Sequence, residues 1–263
     1  MSVTIHPSAI IHSKAEIGED VIIGPYSIIQ SNSKIGDRTK IESHVLVDKN
    51  TILGNNSHLF HGSVVGTVAQ DLKYRGEESW LKIGDNALIR EYCTVNRGTQ
   101  ANNGWTIIGD NCSLLAYSHI GHDCIVGNNL IASNNLGLSG HCVIGNNVTF
   151  GGKIGVAQFC NIGDYSFIGK AVNITKDIIP FALIGDNANS VKVIGINEIG
   201  LERKGFDEQR RRKIKNFYKF LFRGKSTFQI SIKKITEDFK DDEDWNTILK
   251  FLNKSSKGVY RMD

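Results

Sequence analysis

Large aliphatic residues recur every six positions over the first part of the chain: Ile5, Ile11, Ile17, Ile23, Ile29, Ile35, Ile41, Val47, Leu53 and Leu59. Four residues after each stands a small or β-branched residue: Ala9, Ala15, Val21, Ser27, Ser33, Thr39, Val45, Thr51, Ser57 and Ser63. Glycine often follows the aliphatic itself, as at Gly18, Gly24, Gly36 and Gly54. The pattern resumes at Ile83, Ile89 and Val95. It resumes again at Ile108 and runs through Leu114, Ile120, Val126, Ala132, Leu138, Ile144, Phe150, Val156, Ile162 and Ile168 to Ile174. A period of six is neither the 3.6 of an amphipathic helix nor the 2 of a plain strand. It is the hexapeptide signature of a parallel β-helix, in which three hexapeptides close one triangular coil and each coil bonds only to its neighbours.

Two interruptions, near 66–82 (GTVAQDLKYRGEESWLK) and 97–107 (RGTQANNGWTI), are flanked by repeats in good order. They read as loops ejected from coils, and loops on a rigid scaffold are where function concentrates. After about residue 185 the repeat stops. Ile214, Phe217, Tyr218 and Leu221 fall on one helical stripe, and ISIKKITEDF and DWNTILKFLNK read as shorter helices, the last with Asp244 as its expected N-cap. The expected organisation is mostly β: a parallel β-helix over 1–190, then a basic helical C-terminal domain over 191–263.

Composition sharpens this in two ways. Among 263 residues no apolar run approaches the ~20 needed to span a bilayer, and the N-terminus has no basic-then-apolar leader pattern. A cytoplasmic protein with no stable membrane insertion is expected. The net charge of +4 is unevenly distributed: residues 201–263 hold 17 Lys and Arg against 10 Asp and Glu. That excess suits an acidic partner or a solvated helix face.

The candidate chemistry follows from the same register. Cys93, Cys112, Cys124, Cys142 and Cys160 all occupy the small inward slot, which predicts buried free thiols packing as small hydrophobes, without disulfides. His119, His122 and His141 occupy none of the inward slots. Their spacing predicts rings close together on the outside of adjacent coils, beside Asp123. The spacing His119-x2-His122 lacks the His-x4-His pattern of zinc-binding β-helix enzymes, so no metal and no other cofactor is expected.

QDLKYRGE (70–77), IREYCTVNRGT (89–99), HIGHDCIVGNN (119–129), LSGH (138–141), QFC (158–160) and GLERKGF (200–206) stand in that order before a basic helical tail. Together they resemble the UDP-N-acetylglucosamine O-acyltransferase (LpxA) family of lipid A biosynthesis over essentially the whole chain. The resemblance implies a left-handed winding of the β-helix. It also implies a homotrimer with active sites between neighbouring prisms, and transfer of a 3-hydroxyacyl group from acyl carrier protein to the 3-hydroxyl of a UDP-amino sugar. It aligns His122 with the general base, Asp123 with its partner or a backbone brace, and the Gly140 N–H with the oxyanion donor. Gln70, Asp71, Lys73, His119 and His141 align with sugar-binding positions. Gln158, Asn197 and Arg203 align with positions on the uridine diphosphate or pantetheine arms. Arg210, Arg211, Arg212, Lys213 and Lys215 are candidates for docking the carrier protein, and no nucleic acid partner is expected.

Three positions depart from the family pattern. Ala157 stands where a histidine is common, Ile199 stands where some members have glutamate, and Lys170 stands where long-chain members keep a glycine. Lys170, with Lys153 about one coil away, would shorten the acyl chain or favour a polar end. The same site motifs also suit a relative that acylates a 3-amino sugar for surface polysaccharide; intact His122, Asp71 and Gly140 argue against a catalytically silent scaffold subunit.

Overall fold

Within each hexapeptide two side chains point in, one points out between them, and a two-residue turn follows. Val21 and Ile23 are buried while Ile22 between them is exposed; after Gly24 the chain turns at Pro25–Tyr26, and Ser27 points inward again. The second turn residue adopts a left-handed conformation at almost every corner, from Asp20 (φ 53°) to Phe181 (φ 70°). Asparagine and aspartate tolerate that region better than most side chains, which accounts for Asn32, Asn50, Asn56, Asn86, Asn111, Asn129, Asn135 and Asn147.

The computed structural model describes residues 2–187, 190–224 and 226–262. Their strands form three sheets, the faces of a triangular prism. The first face starts at Thr4–Ile5, the second at Ile10–Ile11 and the third at Glu16–Ile17, and the chain visits them in that order on every coil. All pairings between coils are parallel, and the aliphatic clock forms the continuous interior. The first face ends in an antiparallel hairpin, Ala182–Asn187 with Ser190–Ile196.

One corner explains the recurring glycines. Along the edge between third and first faces, Asp37, Asn55, Asp85, Asp110, Asn128, Asn146 and Asp164 each accept a backbone N–H from the coil below at 2.6–2.9 Å. A Cβ on the residue under that side chain would meet its oxygen at 2.4 Å at Gly18, 2.2 Å at Gly84 and 2.3 Å at Gly145. Glycine is therefore required there by space.

The five cysteines are free and fully buried, as their slot predicts. Burial pushes the Cys93 thiol up to about 11, and the Cys142 thiol is raised by its bond with Cys124 and by burial, so neither is poised as a nucleophile.

The two interruptions are shorter than the sequence suggests. Strands Val64–Thr67, Trp80–Ile83, Thr94–Asn96 and Trp105–Ile108 remain in the coils, leaving 68–79 and 97–104 outside them. Trp80 pairs in register with Trp105, and their rings stack at 5.5 Å across the bases of the two loops. That cross-strand pair extends the sheet beyond the point where the aliphatic clock falters.

Four helices follow: α1 (Glu198–Arg203), α2 (Glu208–Arg223), α3 (Phe228–Asp238) and α4 (Glu243–Lys254). Ile214, Phe217, Tyr218 and Leu221 form the buried stripe of α2, as expected. The N-cap of α4 is Asp242, not Asp244: the Asp242 carboxylate accepts the N–H groups of Asp244 and Trp245, both at 3.0 Å. Asp244 is buried in the first turn, where its carboxylate takes a bidentate grip from Arg210 at 2.7–2.9 Å. The C-terminal segment returns to the prism, where Asp177 accepts the Tyr260 N–H and the Ser255 hydroxyl. Among the described residues no helix is long and apolar enough to cross a membrane.

Candidate active site

Both loops and the His122–Asp123 pair stand at one corner of the prism. Residues 68–79, 97–104 and 121–124 each connect a second-face strand to a third-face strand, on three successive coils. Gly140–His141 and Gln158–Phe159 continue the same corner on the next two coils. The corner therefore gathers Gln70, Asp71, Lys73, His122, Asp123, Gly140, His141 and Gln158 into one column, with His119 on the adjoining second face.

His122 is buried, only 3% exposed, contrary to the expectation that its ring lies on the outer surface. The ring is outside the prism interior but wedged over the Gly140 backbone. A Cβ on Gly140 would stand 2.6 Å from its Cε1 and Nε2. His141 meets the ring edge-on at 5.1 Å and is itself stacked on Phe159 at 4.7 Å. The His122 Nδ1 lies 2.7 Å from Asp123 Oδ2. With the carboxylate ionised, Nδ1 carries the proton and Nε2 presents its lone pair beside Gly140.

Asp123 is 1% exposed and adopts φ 60°. Its amide donates to Thr106 Oγ1 at 2.8 Å, and its carboxylate accepts the Thr99 N–H and the Thr99 hydroxyl, each at 2.8 Å. Asp123 therefore both partners the histidine and braces the backbone. Burial alone would raise this carboxyl. The His122 bond, the two Thr99 bonds and the nearby His141 more than offset it, holding Asp123 below the usual carboxylate range. His119 donates or accepts with Thr94 Oγ1 at 2.7 Å, and burial, with the neighbouring His122, lowers its pKa so that it favours the neutral form.

His122, Asp123 and His141 place ligand-capable atoms within 4.8 Å of one another. Two ligands of one tetrahedral zinc, each about 2.0–2.1 Å from the metal, sit roughly 3.3 Å apart. The 2.7 Å between Nδ1 and Oδ2 is instead a hydrogen bond. The pair fixes the orientation of the His122 ring. The Gly140 N–H has no backbone acceptor among the described residues and stands beside that ring.

The remaining residues named from sequence are not brought to this corner. Asn197 and Arg203 flank a groove of about 720 Å3 on the first face, lined by Ile131, Thr149, Phe167 and Leu183. In a triangular prism that face lies opposite the His122 corner. The Asn197 side chain caps α1, accepting the Gly200 N–H at 3.1 Å and donating to Tyr165 O at 2.9 Å. Arg203 is exposed. Lys170 and Lys153 are exposed at the corner between first and second faces. Four of the five basic docking candidates are engaged within the helical part: Arg210 with Asp244, Arg211 with Glu202, Lys213 with Asp242 and Lys215 with Glu198. Arg210 and Lys213 thus fasten α2 to α4; Arg212 has no such partner among the described residues. Sequence reasoning missed Arg97, Thr99 and Thr106. IREYCTVNRGT marked that segment, but nothing in the repeat says which coil a loop residue touches.

A hexapeptide β-helix with a buried His–Asp pair facing a free backbone N–H defines a hexapeptide-repeat transferase. The known proteins it resembles narrow that class. A family model described as bacterial transferase hexapeptide (six repeats) matches residues 14–49, and one described as UDP-N-acetylglucosamine O-acyltransferase, domain 2, matches residues 177–260. A Trichlorobacter lovleyi protein named acyl-(acyl-carrier-protein)–UDP-N-acetylglucosamine O-acyltransferase is 45% identical over 98% of this chain and 99% of its own. One of the same name from Thermodesulfovibrio yellowstonii is 38% identical over 98% and 99%. The crystal structure of UDP-N-acetylglucosamine O-acyltransferase from Moraxella catarrhalis matches with a TM-score of 0.94, 38% identity, and 98% and 99% of the two chains. The chain belongs to the UDP-N-acetylglucosamine O-acyltransferase family, and its fold is the left-handed parallel β-helix with a helical C-terminal part that the resemblance implied.

Proposed function

We propose that the protein transfers a 3-hydroxyacyl group from an acyl carrier protein thioester to the 3-hydroxyl of UDP-N-acetylglucosamine, the first step of lipid A biosynthesis. The observation that carries this reading is the pairing of His122 Nδ1 with Asp123 at 2.7 Å while the other edge of the ring lies on Gly140. A sugar hydroxyl is a poor nucleophile at neutral pH and needs a base as it attacks. His122 Nε2 takes the hydroxyl proton as the oxygen attacks the thioester carbonyl. The resulting oxyanion is received by the Gly140 N–H. Collapse breaks the carbon–sulfur bond, and the departing pantetheine thiolate takes the proton from His122. Asp123 holds the tautomer and stabilises the transient imidazolium.

Gln70, Asp71 and Lys73 on the first loop, with His119 and His141, bind the sugar at this corner, and Gln158 contacts the substrate arms. Arg203 binds a phosphate from the first face, with Asn197 setting α1 beneath it. Since that face is opposite the corner, one complete site draws on two copies of the chain, which is the physical argument for a homotrimer with sites in its clefts. Leu72, 97% exposed at the tip of the first loop, suits contact with a neighbouring copy. Lys170 limits the acyl chain to a short or polar-ended one.

The test is a matrix of purified protein with UDP-N-acetylglucosamine and its 3-amino analogue against 3-hydroxyacyl carrier proteins of about 4 to 16 carbons, read by mass spectrometry. Product from the unmodified sugar is expected, with an optimum below 14 carbons. Product from the amino analogue alone overturns the acceptor assignment, and a 14-carbon optimum overturns the role of Lys170.

A further inference from the structure

Residues 97–99 form a strap outside the prism that is nevertheless fully buried; Arg97 and Thr99 are each 2% exposed. Each backbone N–H is committed. That of Arg97 goes to Thr67 O at 2.9 Å, that of Gly98 to Trp80 O at 3.1 Å, and that of Thr99 to Asp123 Oδ1 at 2.8 Å. Gly98 has no room for a side chain, since a Cβ there would stand 2.4 Å from the Trp105 amide nitrogen. The two ends of the strap reach different parts of the site. At one end the Arg97 guanidinium donates to Gly66 O at 3.0 Å, to the Tyr74 hydroxyl at 3.3 Å and to Asp48 at 3.3 Å, gripping the loop that carries Gln70, Asp71 and Lys73. At the other end Thr99 supplies two donors to the one carboxylate that orients His122.

We infer that Thr99 is a positioning residue for the acyl transfer, the third member of a Thr99–Asp123–His122 relay, and that Arg97 fixes the sugar loop in register with it. This rests on the reading of His122 as the base. The physical reason is directional. A buried carboxylate with only His122 as partner can rotate about its own axis. Donors at both oxygens pin its plane, so that Oδ2 faces Nδ1 and Nε2 stays over Gly140. The strap's rigid backbone means that the loop cannot shift without moving the donors of the relay, which ties acceptor placement to base placement.

The relay predicts a specific pH signature. The charged and titratable groups facing the His122 ring are Asp123, His119 and His141. Losing the Thr99 hydroxyl concentrates the Asp123 charge on His122 and favours its protonated form. Thr99→Val keeps the shape and the N–H but removes the hydroxyl donor. It is expected to lower kcat about tenfold and to move the acid limb of the kcat/KM profile to higher pH, with Thr99→Ser restoring both. Tyr74→Phe removes the hydroxyl that accepts from Arg97 and donates to Glu77 O at 3.0 Å, and is expected to raise KM for the nucleotide sugar severalfold with kcat and the acid limb unchanged.

A readout independent of turnover is the downfield proton NMR resonance of the His122 Nδ1–H in the intact protein, assigned by its loss in His122→Ala. It should shift or broaden in Thr99→Val and return in Thr99→Ser. An unshifted resonance and a pH-independent loss of rate in Thr99→Val would overturn the relay, even with wild-type acyl transfer intact. Absence of transfer by the wild-type protein would overturn the proposed function instead, while the resonance still reports on the relay.

Discussion

Gly140 is a glycine because the His122 ring fills the space a Cβ would need, 2.6 Å from Nε2. Gly140→Ala should therefore push the base off its seat while leaving the coil intact. We expect kcat to fall at least a hundredfold with a melting temperature within a few degrees of wild type, read by steady-state assay and thermal unfolding. A stability prediction attaches to Asp123. Its native pKa is depressed, so the ionised carboxylate stabilises the folded state fully above the unfolded value of about 3.9. That contribution disappears as pH falls through the lower native value. Thermal unfolding of Asp123→Asn against wild type should show the widest gap near neutral pH, narrowing below about pH 4. A gap that widened on acidification would contradict the assignment. The clustering of His119, His122 and His141 beside Asp123 and the inward cysteines were legible in the sequence because the hexapeptide register says which way each position points. The burial of His122 was not, since what covers an outward position comes from another coil.

The strands, corners and helices follow local rules of unequal visibility. The six-residue clock located the prism strands because one large aliphatic per side must fill the interior. It missed only the first residues of the strands that begin at Trp80 and Trp105, where outward indoles stack across the sheet while Leu81, Ile83 and Ile108 keep the interior aliphatic. The α4 cap was misplaced by two residues because three aspartates, Asp241, Asp242 and Asp244, all look like caps in sequence. The geometry separates their roles: Asp242 caps, while Asp244 is gripped by Arg210 and approached by Lys213. Asp242→Ala should cost about 1 kcal/mol by cap loss, more if the Lys213 pair contributes. Removing the Asp244 carboxylate should cost more than removing the cap, because it leaves Arg210 without its bidentate partner. Urea titration of the two variants checks the order.

For the molecule as a whole, the decisive feature is that the residues named for one reaction stand on opposite sides of one prism. The His122 corner and the Arg203 face can serve one site only when two copies meet. Oligomers of His122→Ala alone and of Arg203→Ala alone should each be impaired. Mixed oligomers, refolded together from the two variants, should regain a fraction of wild-type activity, because some clefts then receive an intact corner from one chain and an intact face from the other. Mixing without recovery would mean that both residues act within one chain or that Arg203 has no part in the site.

Every step of the proposed transfer runs through His122 as the base of an O-acyl transfer. The most direct measurement is therefore the rate of acyl transfer to UDP-N-acetylglucosamine by wild type and His122→Ala side by side, with the position of the new acyl group read by NMR of the product. The prediction is an ester on the 3-oxygen from wild type and a kcat lower by about 10²–10⁴-fold in the variant, with its melting temperature preserved. A variant within a few-fold of wild type, or an acyl group at another position of the sugar, would contradict it.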